Sequence, residues 1–295
     1  MAPLETLQVL VDKSLFAQAA IRLGVPAPRT LPVVGVETLD ALEEAELPDF
    51  FLKPSDSQQF AKRFGVKGLQ LTGRRQAEDL VRQMTVEGFE LVLQEYIPGP
   101  ATDHVFLDGY VDRSGVMRAC LARRRLRMFP PHLGNSTLSV TMPLSEAGDA
   151  VESLHRLFGG MAFAGLFDAE FKYDARDGRF KILEVNARPW WQLGLSEACG
   201  LGLTVMAYRD ALGLPLAPAA RYPVGRAWVN PVPDLRAWWG RATNGHAGGV
   251  PLRSWLGGAN AVFSWDDPMP AVEALARVPA RIRGEAGRSA LSRPS

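Results

Sequence analysis

Two neighbouring stretches decide the fold: GLFDAEFKY at residues 165–173 and FKILEVNARP at residues 180–189. In both stretches polar and apolar side chains alternate, and this period of two is typical of β-strands with one buried face. A short turn joins them, so we expect an antiparallel hairpin. One face would carry Asp168, Glu170, Lys172, Glu184, Asn186 and Arg188, and the other Phe167, Ala169, Phe171, Tyr173, Leu183 and Val185.

The polar face of this hairpin combines carboxylates, an amide and a guanidinium. Hard oxygen donors of this kind suit Mg²⁺, which commonly takes one or two carboxylates together with phosphate oxygens of a substrate. Arg188 beside them could stabilise negative charge that develops on a phosphoryl group. The alternative is a solvated face with ordinary charges, which fits any one of these residues taken alone.

The turn decides which acidic side chains meet. Directly opposed residues of an antiparallel pair point to the same face. A two-residue turn would place Glu170 opposite Val185 and separate the acids. A three-residue loop, Arg176–Gly178, places Glu170 opposite Glu184 and needs its glycine in the left-handed region. We predict this loop, a positive φ at Gly178 and both carboxylates on one side of the sheet.

Composition excludes several classes of protein. The chain has 295 residues, 47% hydrophobic and 22% charged, and its formal net charge of +1 gives no general attraction to nucleic acid. Cys120 and Cys199 fit no zinc or disulfide spacing, and the four histidines show no ligand spacing. The N-terminus lacks a signal-peptide pattern, and no apolar run reaches the roughly 18 residues of a membrane span. We expect a cytoplasmic protein with no membrane span and no nucleic-acid partner.

Helical and extended patterns share the rest of the chain. Apolar residues predict one amphipathic helix over 4–23, which Gly24 and Pro26 end. Other helices are predicted at 37–46, 75–87 and 147–158, and strands at 30–36, 50–53, 68–72, 91–97, 104–112 and 117–125. The apolar face of the first helix comprises Leu4, Leu7, Leu10, Val11 and Leu15. It needs a covering surface, which would be the C-terminal region, a second copy of the chain in a homo-oligomer, or a partner subunit.

The run from Glu184 to Pro189 resembles the E-x-N-x-R-P motif of the ATP-grasp superfamily, and Glu170 falls where that family places its other metal-binding acid. The resemblance extends from about residue 7 to residue 211, with several motifs in the family's order. It implies an α+β fold in which two lobes with antiparallel sheets clasp the nucleotide. It also implies magnesium ligands at Glu170, Glu184 and Asn186, and a catalytic Arg188 that stabilises the transferring phosphoryl group.

The resemblance also indicates the nucleotide-binding residues. Lys13 and Lys53 match the lysines that bind phosphates, and Lys53 is expected to face the two acids across a cleft. The segment from Ser55 to Lys67 matches the loop that covers the phosphates, in the form found in D-aspartate-ligase-like members. The hinge strand that pairs with adenine is matched by Gln94, Glu95, Tyr96 and Ile97, and the acid that holds the ribose by Asp103.

An arginine-rich segment resembles the R-K-x-R-x-x-P-P motif of the carboxylate–amine ligase branch. It runs from Arg124 to Pro131, with Arg125 in place of the usual lysine. Arg125 and Arg127 share a face if the segment is a strand, and both are catalytic candidates for binding phosphate or a substrate carboxylate. A solvated basic stretch is the alternative, and it fits Arg123 equally well.

The same resemblance divides the chain into regions. It implies a linker and helix at 1–30, a small lobe at 31–96 and a large lobe at 97–215. A region rich in Trp and Pro follows at 216–280, and we expect the tail at 281–295 to be mobile. Family members normally carry an N-terminal α/β lobe, whereas only a short segment precedes Asp12 here. Trp190 and Trp191 either line an acceptor pocket or fill the core.

Together these residues imply an enzyme that uses ATP with Mg²⁺, or with Mn²⁺ in its place. It would activate a small-molecule carboxylate as an acylphosphate for attack by an amine, with catalysis by positioning and charge neutralisation. The alternative is a nucleotide-binding module that has lost catalysis and acts as a partner or regulatory protein. The short segment before Asp12 favours this alternative, and the intact acid, amide and arginine set disfavours it.

Overall fold

The N-terminal segment forms two helices where the sequence predicts one. The computed structural model describes residues 2–55, 60, 68–130, 134–217, 221–243, 255–264 and 266–276. It begins with helices α1 (Leu4–Val11) and α2 (Lys13–Arg22). Between them, the Asp12 carboxylate accepts hydrogen bonds from the backbone N–H groups of Ser14 (2.8 Å) and Leu15 (2.9 Å). This cap satisfies free donors in the first turn of α2. The prediction of a continuous helix is wrong because apolar spacing does not detect an internal cap.

A four-stranded antiparallel sheet follows, in the order β1-β4-β2-β3. Its strands are β1 (Thr30–Val33), β2 (Phe50–Pro54), β3 (Leu69–Gln70) and β4 (Leu91–Glu95), and α3 (Arg74–Val86) packs on the same lobe. The helix predicted at 37–46 is wrong, since only a 3₁₀ helix forms there, at Val36–Ala41. Leu42 and Leu47 are both buried in this lobe's core. On one α-helix they would point about 140° apart, so the chain bends to bury both.

The larger sheet has seven strands, in the order β11-β10-β7-β6-β5-β8-β9. All of its pairs are antiparallel except β10 with β11. The strands are β5 (His104–Val111), β6 (Met117–Phe129), β7 (Asn135–Met142), β8 (Gly165–Asp174), β9 (Arg179–Asn186), β10 (Ala227–Val229) and β11 (Ala259–Asn260). Five helices complete this part of the described chain: α4 (Ala150–Gly160), α5 (Leu193–Ala198), α6 (Leu203–Ala211), α7 (Pro231–Thr243) and α8 (Met269–Ala276). The α+β fold matches the expectation, although no strand is predicted at the position of β7.

One face of the large sheet is apolar and covered. Phe167 and Phe171 of β8 pack there with Leu154 of α4 and with Leu10 and Phe16 of the N-terminal helices. Among the described residues, the surface that covers the N-terminal helices is therefore the large sheet with α4, and not the C-terminal region. Leu4, Val11 and Leu15 remain exposed. Self-association through them stays a prediction.

The opposite face of the large sheet changes character along its length. At one end Tyr110 and Leu121 pack against α5 and α6. At the other end, residues on the same face are polar: His104, Asp108, Arg123, Arg125, Asp168, Glu170 and Lys172. This polar half faces the end of the small lobe, since Lys172 Nζ lies over the ring of Tyr96 and donates a hydrogen bond to the carbonyl of Ile97, at 2.6 Å. None of the helices in the described residues is long and apolar enough to cross a membrane.

Candidate active site

The β8–β9 hairpin differs from the expectation in its loop. Asp174 pairs with Arg179, so the loop has four residues, 175–178, and the predicted three-residue loop is wrong. The Asp174 carboxylate accepts hydrogen bonds from the backbone and the guanidinium of Arg176, which favours the wider turn. Gly178 has a φ of 72°, as predicted.

A β-bulge in β9 brings Glu170 opposite Glu184, whereas the four-residue loop alone would shift their pairing by one residue. Phe171 pairs with Ile182, but Glu170 pairs with Glu184, so Leu183 is an extra residue in β9. The two carboxylates lie opposite each other on one face, and that prediction is confirmed. The prediction that Leu183 shares the side of Val185 is wrong. Ile182 and Val185 pack in the core, whereas Leu183 lines a cleft together with Glu184. Bulges are common beside active sites, where they redirect side chains.

Three side chains at the end of β9 contact one another. Asn186 Nδ2 lies 3.4 Å from Glu184 Oε1, and Asn186 Oδ1 accepts a hydrogen bond from Arg188 Nη2, at 3.1 Å. Glu184 and Arg188 are exposed. The sequence-predicted acid, amide and arginine therefore form one accessible cluster.

The Glu170 carboxylate contacts the side chains of Arg125 and His104. Its Oε1 lies 2.9 Å from Arg125 Nη2 and 2.7 Å from His104 Nδ1. Burial lowers the pKa of His104, while hydrogen bonding to Glu170 acts in the opposite direction. Arg125 also donates from Nε to Ser136 Oγ, at 2.8 Å. The structure thus brings Arg125 to the predicted metal face, and adds His104, which the sequence offered no reason to choose.

A buried charge cluster lies behind this face. Arg123 is fully buried, although a solvated position fitted it equally well, and its Nε lies 2.7 Å from Asp108 Oδ2. Its Nη2 lies 2.8 Å from Asp168 Oδ1. Burial raises the pKa of Asp168, and the adjacent Arg123 opposes that shift. The sequence signal that could have revealed this cluster is Asp108, a single acid in an otherwise apolar strand, because a buried carboxylate needs a partner.

The two candidate phosphate lysines lie on either side of a small cavity. Lys13 Nζ donates to the carbonyls of Pro54 and Ser55, both at 2.9 Å. Lys53 Nζ donates to Gln94 Oε1, at 2.7 Å. A cavity of about 60 Å³ is lined by Lys13, Lys53, Gln94 and Glu184. Lys53 and Glu184 therefore face the same space, which Glu170 does not line. Lys67 lies outside the described residues.

The candidate hinge contacts the large lobe through one ion pair of Glu95 and through the buried Lys172. Glu95 Oε1 lies 2.6 Å from Arg176 Nη2, in the loop of the β8–β9 hairpin. Ile97 is buried, and Lys172 Nζ lies 4.8 Å from the centre of the Tyr96 ring. Burial lowers the pKa of Lys172, and the carboxylate of Asp103 opposes the shift. The structure brings Tyr96, Ile97 and Asp103 together around Lys172. From the sequence, Lys172 is assigned only to the polar face of the hairpin.

Arg127 has a different environment from Arg125. Its Nε and Nη2 lie 2.9 Å and 2.6 Å from the two carboxylate oxygens of Asp234 in α7. Thr137 Oγ1 and Trp255 Nε1 also donate to Asp234. Arg127 thus anchors the C-terminal region on the sheet, and a role for it in catalysis stays a prediction.

A larger cavity of about 490 Å³ opens beside the polar face. Trp191, Arg236 and Ser136 contribute to its lining, and Ser136 is the residue bound to Arg125. Trp191 is 68% exposed, whereas Trp190 is buried in the core. Of the two alternatives for this pair, Trp190 fills the core and Trp191 lines a pocket. A cavity of this size falls within the range of small-molecule sites.

The oxygen donors of the face fit a hard cation. Glu170 and Glu184 supply carboxylates and Asn186 an amide oxygen, and phosphate oxygens of a nucleotide commonly complete such a magnesium site. Within the described ranges there is no group of three or more His, Cys, Asp or Glu side chains that could hold a metal ion. Two carboxylates and an amide are nevertheless a sufficient protein contribution for Mg²⁺.

Comparisons with known proteins bear on the fold of the chain. No family model matches the chain. Over 190 residues it is 29% identical to a D-aspartate ligase of Enterococcus faecium (strain Aus0004), which covers 61% of this chain and 44% of the ligase. Among solved structures, the biotin carboxylase domain of 2-oxoglutarate carboxylase from Hydrogenobacter thermophilus, in complex with MgADP, aligns with a TM-score of 0.59 at 15% identity. That alignment covers 76% of this chain and 50% of the other.

An L-amino acid ligase from Bacillus licheniformis aligns with a TM-score of 0.52 at 17% identity, over 72% of this chain and 50% of the other. At these identities the solved structures establish the fold alone. The chain spans about half the length of the proteins it matches.

Proposed function

Because the chain has the ATP-grasp fold, we propose that it is an ATP-dependent ligase that joins a carboxylate to an amine. The observation that carries the proposal is the single polar face of the β8–β9 hairpin, where Glu170 lies opposite Glu184 and Arg188 contacts Asn186. The similarity to a D-aspartate ligase supports an amino acid as one substrate. The small lobe would be 31–96 and the large lobe 97–215, and helices α7 and α8 of the region 216–280 would line the substrate cavity.

In this proposal, Glu170, Glu184 and Asn186 hold Mg²⁺, and Mn²⁺ could bind the same oxygen donors. The metal would supply neutralisation of the phosphate charge. Lys13 and Lys53 bind phosphate oxygens. The segment from Ser55 to Lys67, which the resemblance assigns to covering them, lies mostly outside the described residues. Gln94, Glu95, Tyr96 and Ile97 surround the adenine, and Asp103 holds the ribose. ATP dependence and two free thiols are consistent with a cytoplasmic enzyme.

The reaction would proceed in two transfers. A carboxylate oxygen of the first substrate attacks the γ-phosphorus of ATP and ADP leaves, giving an acylphosphate. The amine nitrogen then attacks the acyl carbon, phosphate leaves, and the nitrogen loses a proton to give the amide. In this proposal the protein contributes position and charge, and Arg188 and Arg125 stabilise the transferring phosphoryl group. The cavity at Trp191 and Arg236 would hold the amino acid.

We expect the protein to bind ATP tightly only with a divalent cation. Triphosphate charge beside Glu184 and the other acids of the face is repulsive unless a cation lies between them. Isothermal titration calorimetry with MgATP, MnATP, and ATP in excess EDTA measures this. Equal affinity with and without the cation would count against the metal site.

Replacing Trp191 with alanine is expected to raise KM for the amino acid about tenfold, because truncating an aromatic contact costs about 1–2 kcal/mol. The affinity for MgATP should not change. Tyr208→Ala is the matched control, since Tyr208 is an aromatic residue that is 67% exposed on α6. Equal KM values in both variants would show that the cavity at Trp191 does not bind substrate.

A second candidate function is an ATP-binding module without catalysis that acts as a partner or regulator. The observation that favours it is that the oxygen Oε1 of Glu170, a proposed metal ligand, is already bound by Arg125 and His104. Release of ADP in the presence of single amino acids and amino acid pairs distinguishes the two. Turnover above the rate without amino acid supports the ligase, and tight MgATP binding with no turnover supports the module.

A further inference from the structure

The amide of Asn186 has a defined orientation. Its Nδ2 lies 3.3 Å from Asp168 Oδ2 and 3.4 Å from Glu184 Oε1, and its Oδ1 accepts from Arg188 Nη2. An amide offers an acceptor on one side and two donors on the other. Only the oxygen can coordinate a cation, so the orientation decides whether Asn186 can bind metal.

Asp168 is the acceptor best suited to hold that orientation. Glu184 is exposed and is itself a candidate metal ligand, so its hydrogen bond to Asn186 competes with cation binding. Asp168 is buried and directly opposite Asn186 in the register. It remains available as an acceptor when Glu184 turns to a cation.

Arg123 and Asp108 fix the position of Asp168. Arg123 donates to both carboxylates, at 2.8 Å to Asp168 and 2.7 Å to Asp108, and it is fully buried. Its guanidinium carbon lies 3.9 Å from the centre of the Phe106 ring. Burying two carboxylates around one guanidinium is costly. Arg123, Asp108 and Asp168 have no part in the reaction scheme above.

We propose that Asp168, held by Arg123 and Asp108, is a positioning residue that turns the Asn186 amide oxygen toward the metal and the nucleotide phosphates. The inference rests on the proposed function, because it concerns the metal ligand of that same site. Without this acceptor the amide can rotate and present its nitrogen, which repels a cation.

The first test is Asp168→Asn. The new amide can still accept from Arg123 through its oxygen, but its nitrogen then faces Asn186 Nδ2, and two donors cannot bond. Mn²⁺ binding in the presence of ADP, measured by electron paramagnetic resonance of the free ion, should weaken by about 10–100-fold, the usual cost of losing a partner of a metal ligand. ADP affinity in EDTA should not change. The matched control is Asp174→Asn, which alters a buried acid of the same strand that binds Arg176.

The second test exchanges the two residues, as Asp168→Asn with Asn186→Asp. The hydrogen bond is retained with its polarity reversed, the net charge equals that of the wild type, and a carboxylate oxygen faces the metal. Mn²⁺ affinity should return to near the wild-type value. Unchanged affinity in the single variant, or no recovery in the exchange, would overturn the inference. If the wild-type protein shows no metal-dependent nucleotide binding, the proposed function fails, and this inference fails with it.

Discussion

Replacing Arg188 with alanine is expected to slow ADP release by roughly 10²–10³-fold, the usual cost of removing one donor that stabilises transition-state charge. The affinity for MgATP should change little. Arg188 is exposed at the end of the polar face and donates to Asn186 and to the carbonyl of Pro189. Its guanidinium has no buried charge partner among the described residues, so it can move onto a phosphoryl group as charge develops there.

The measurement is single-turnover ADP release with the amino acid that gives the fastest rate, alongside calorimetry with MgATP. Arg188→Lys keeps the charge but loses the planar fork of donors, and should give an intermediate rate. Arg179→Ala is the control, because Arg179 lies on the same strand at the loop end, paired with Asp149. If Arg188→Ala weakens MgATP binding as much as it slows turnover, Arg188 contributes to ground-state binding instead.

Replacing Asp234 with alanine should lower the free energy of unfolding by about 3–5 kcal/mol, the range for leaving one member of a buried ion pair without its partner. The Asp234 carboxylate accepts hydrogen bonds from Arg127, Thr137 and Trp255, and both charged side chains are almost fully buried. The variant leaves the Arg127 guanidinium buried without its counter-ion and loosens α7 from the sheet.

Chemical denaturation followed by circular dichroism measures this loss. Glu78→Ala removes the exposed pair with Arg82 on α3 and should cost only about 0.3–0.5 kcal/mol. A loss below about 1 kcal/mol for Asp234→Ala, typical of an exposed pair, would show that the C-terminal region contributes little to the stability of the large lobe.

The sequence predicts the hairpin and its polar face well because alternation is a local property. Glu170 and Phe171 point to opposite faces because successive side chains of any β-strand alternate between its two faces. The loop is different, since its length depends on side-chain contacts: the backbone of Asp174 pairs with Arg179 while its carboxylate binds Arg176 inside the turn. Alternation detects neither this contact nor the bulge, and so it assigns Leu183 to the wrong side.

Long-range partners are the other part that sequence reasoning misses. Arg123, Arg125 and Arg127 have the same side-chain chemistry, yet one is bound by Asp108 and Asp168, one by Glu170 and one by Asp234. These partners come from three other elements, and only the assembled sheet decides which carboxylate each arginine meets. Asp12 shows the same limit on a smaller scale, because its capping oxygen divides a helix that periodicity treats as continuous.

The bulge at Leu183 has a consequence for how this hairpin can change during evolution. Because Ile182 and Glu184 each keep a partner on β8, a codon deletion at position 183 would turn the bulged ladder into a regular one without separating Glu170 from Glu184. An insertion or deletion between Glu184 and Arg188 would instead shift the acid, the amide and the arginine relative to one another. In an alignment of homologues, length differences in this hairpin should therefore collect at position 183 and in the loop at 175–178, while the segment 184–188 keeps its length.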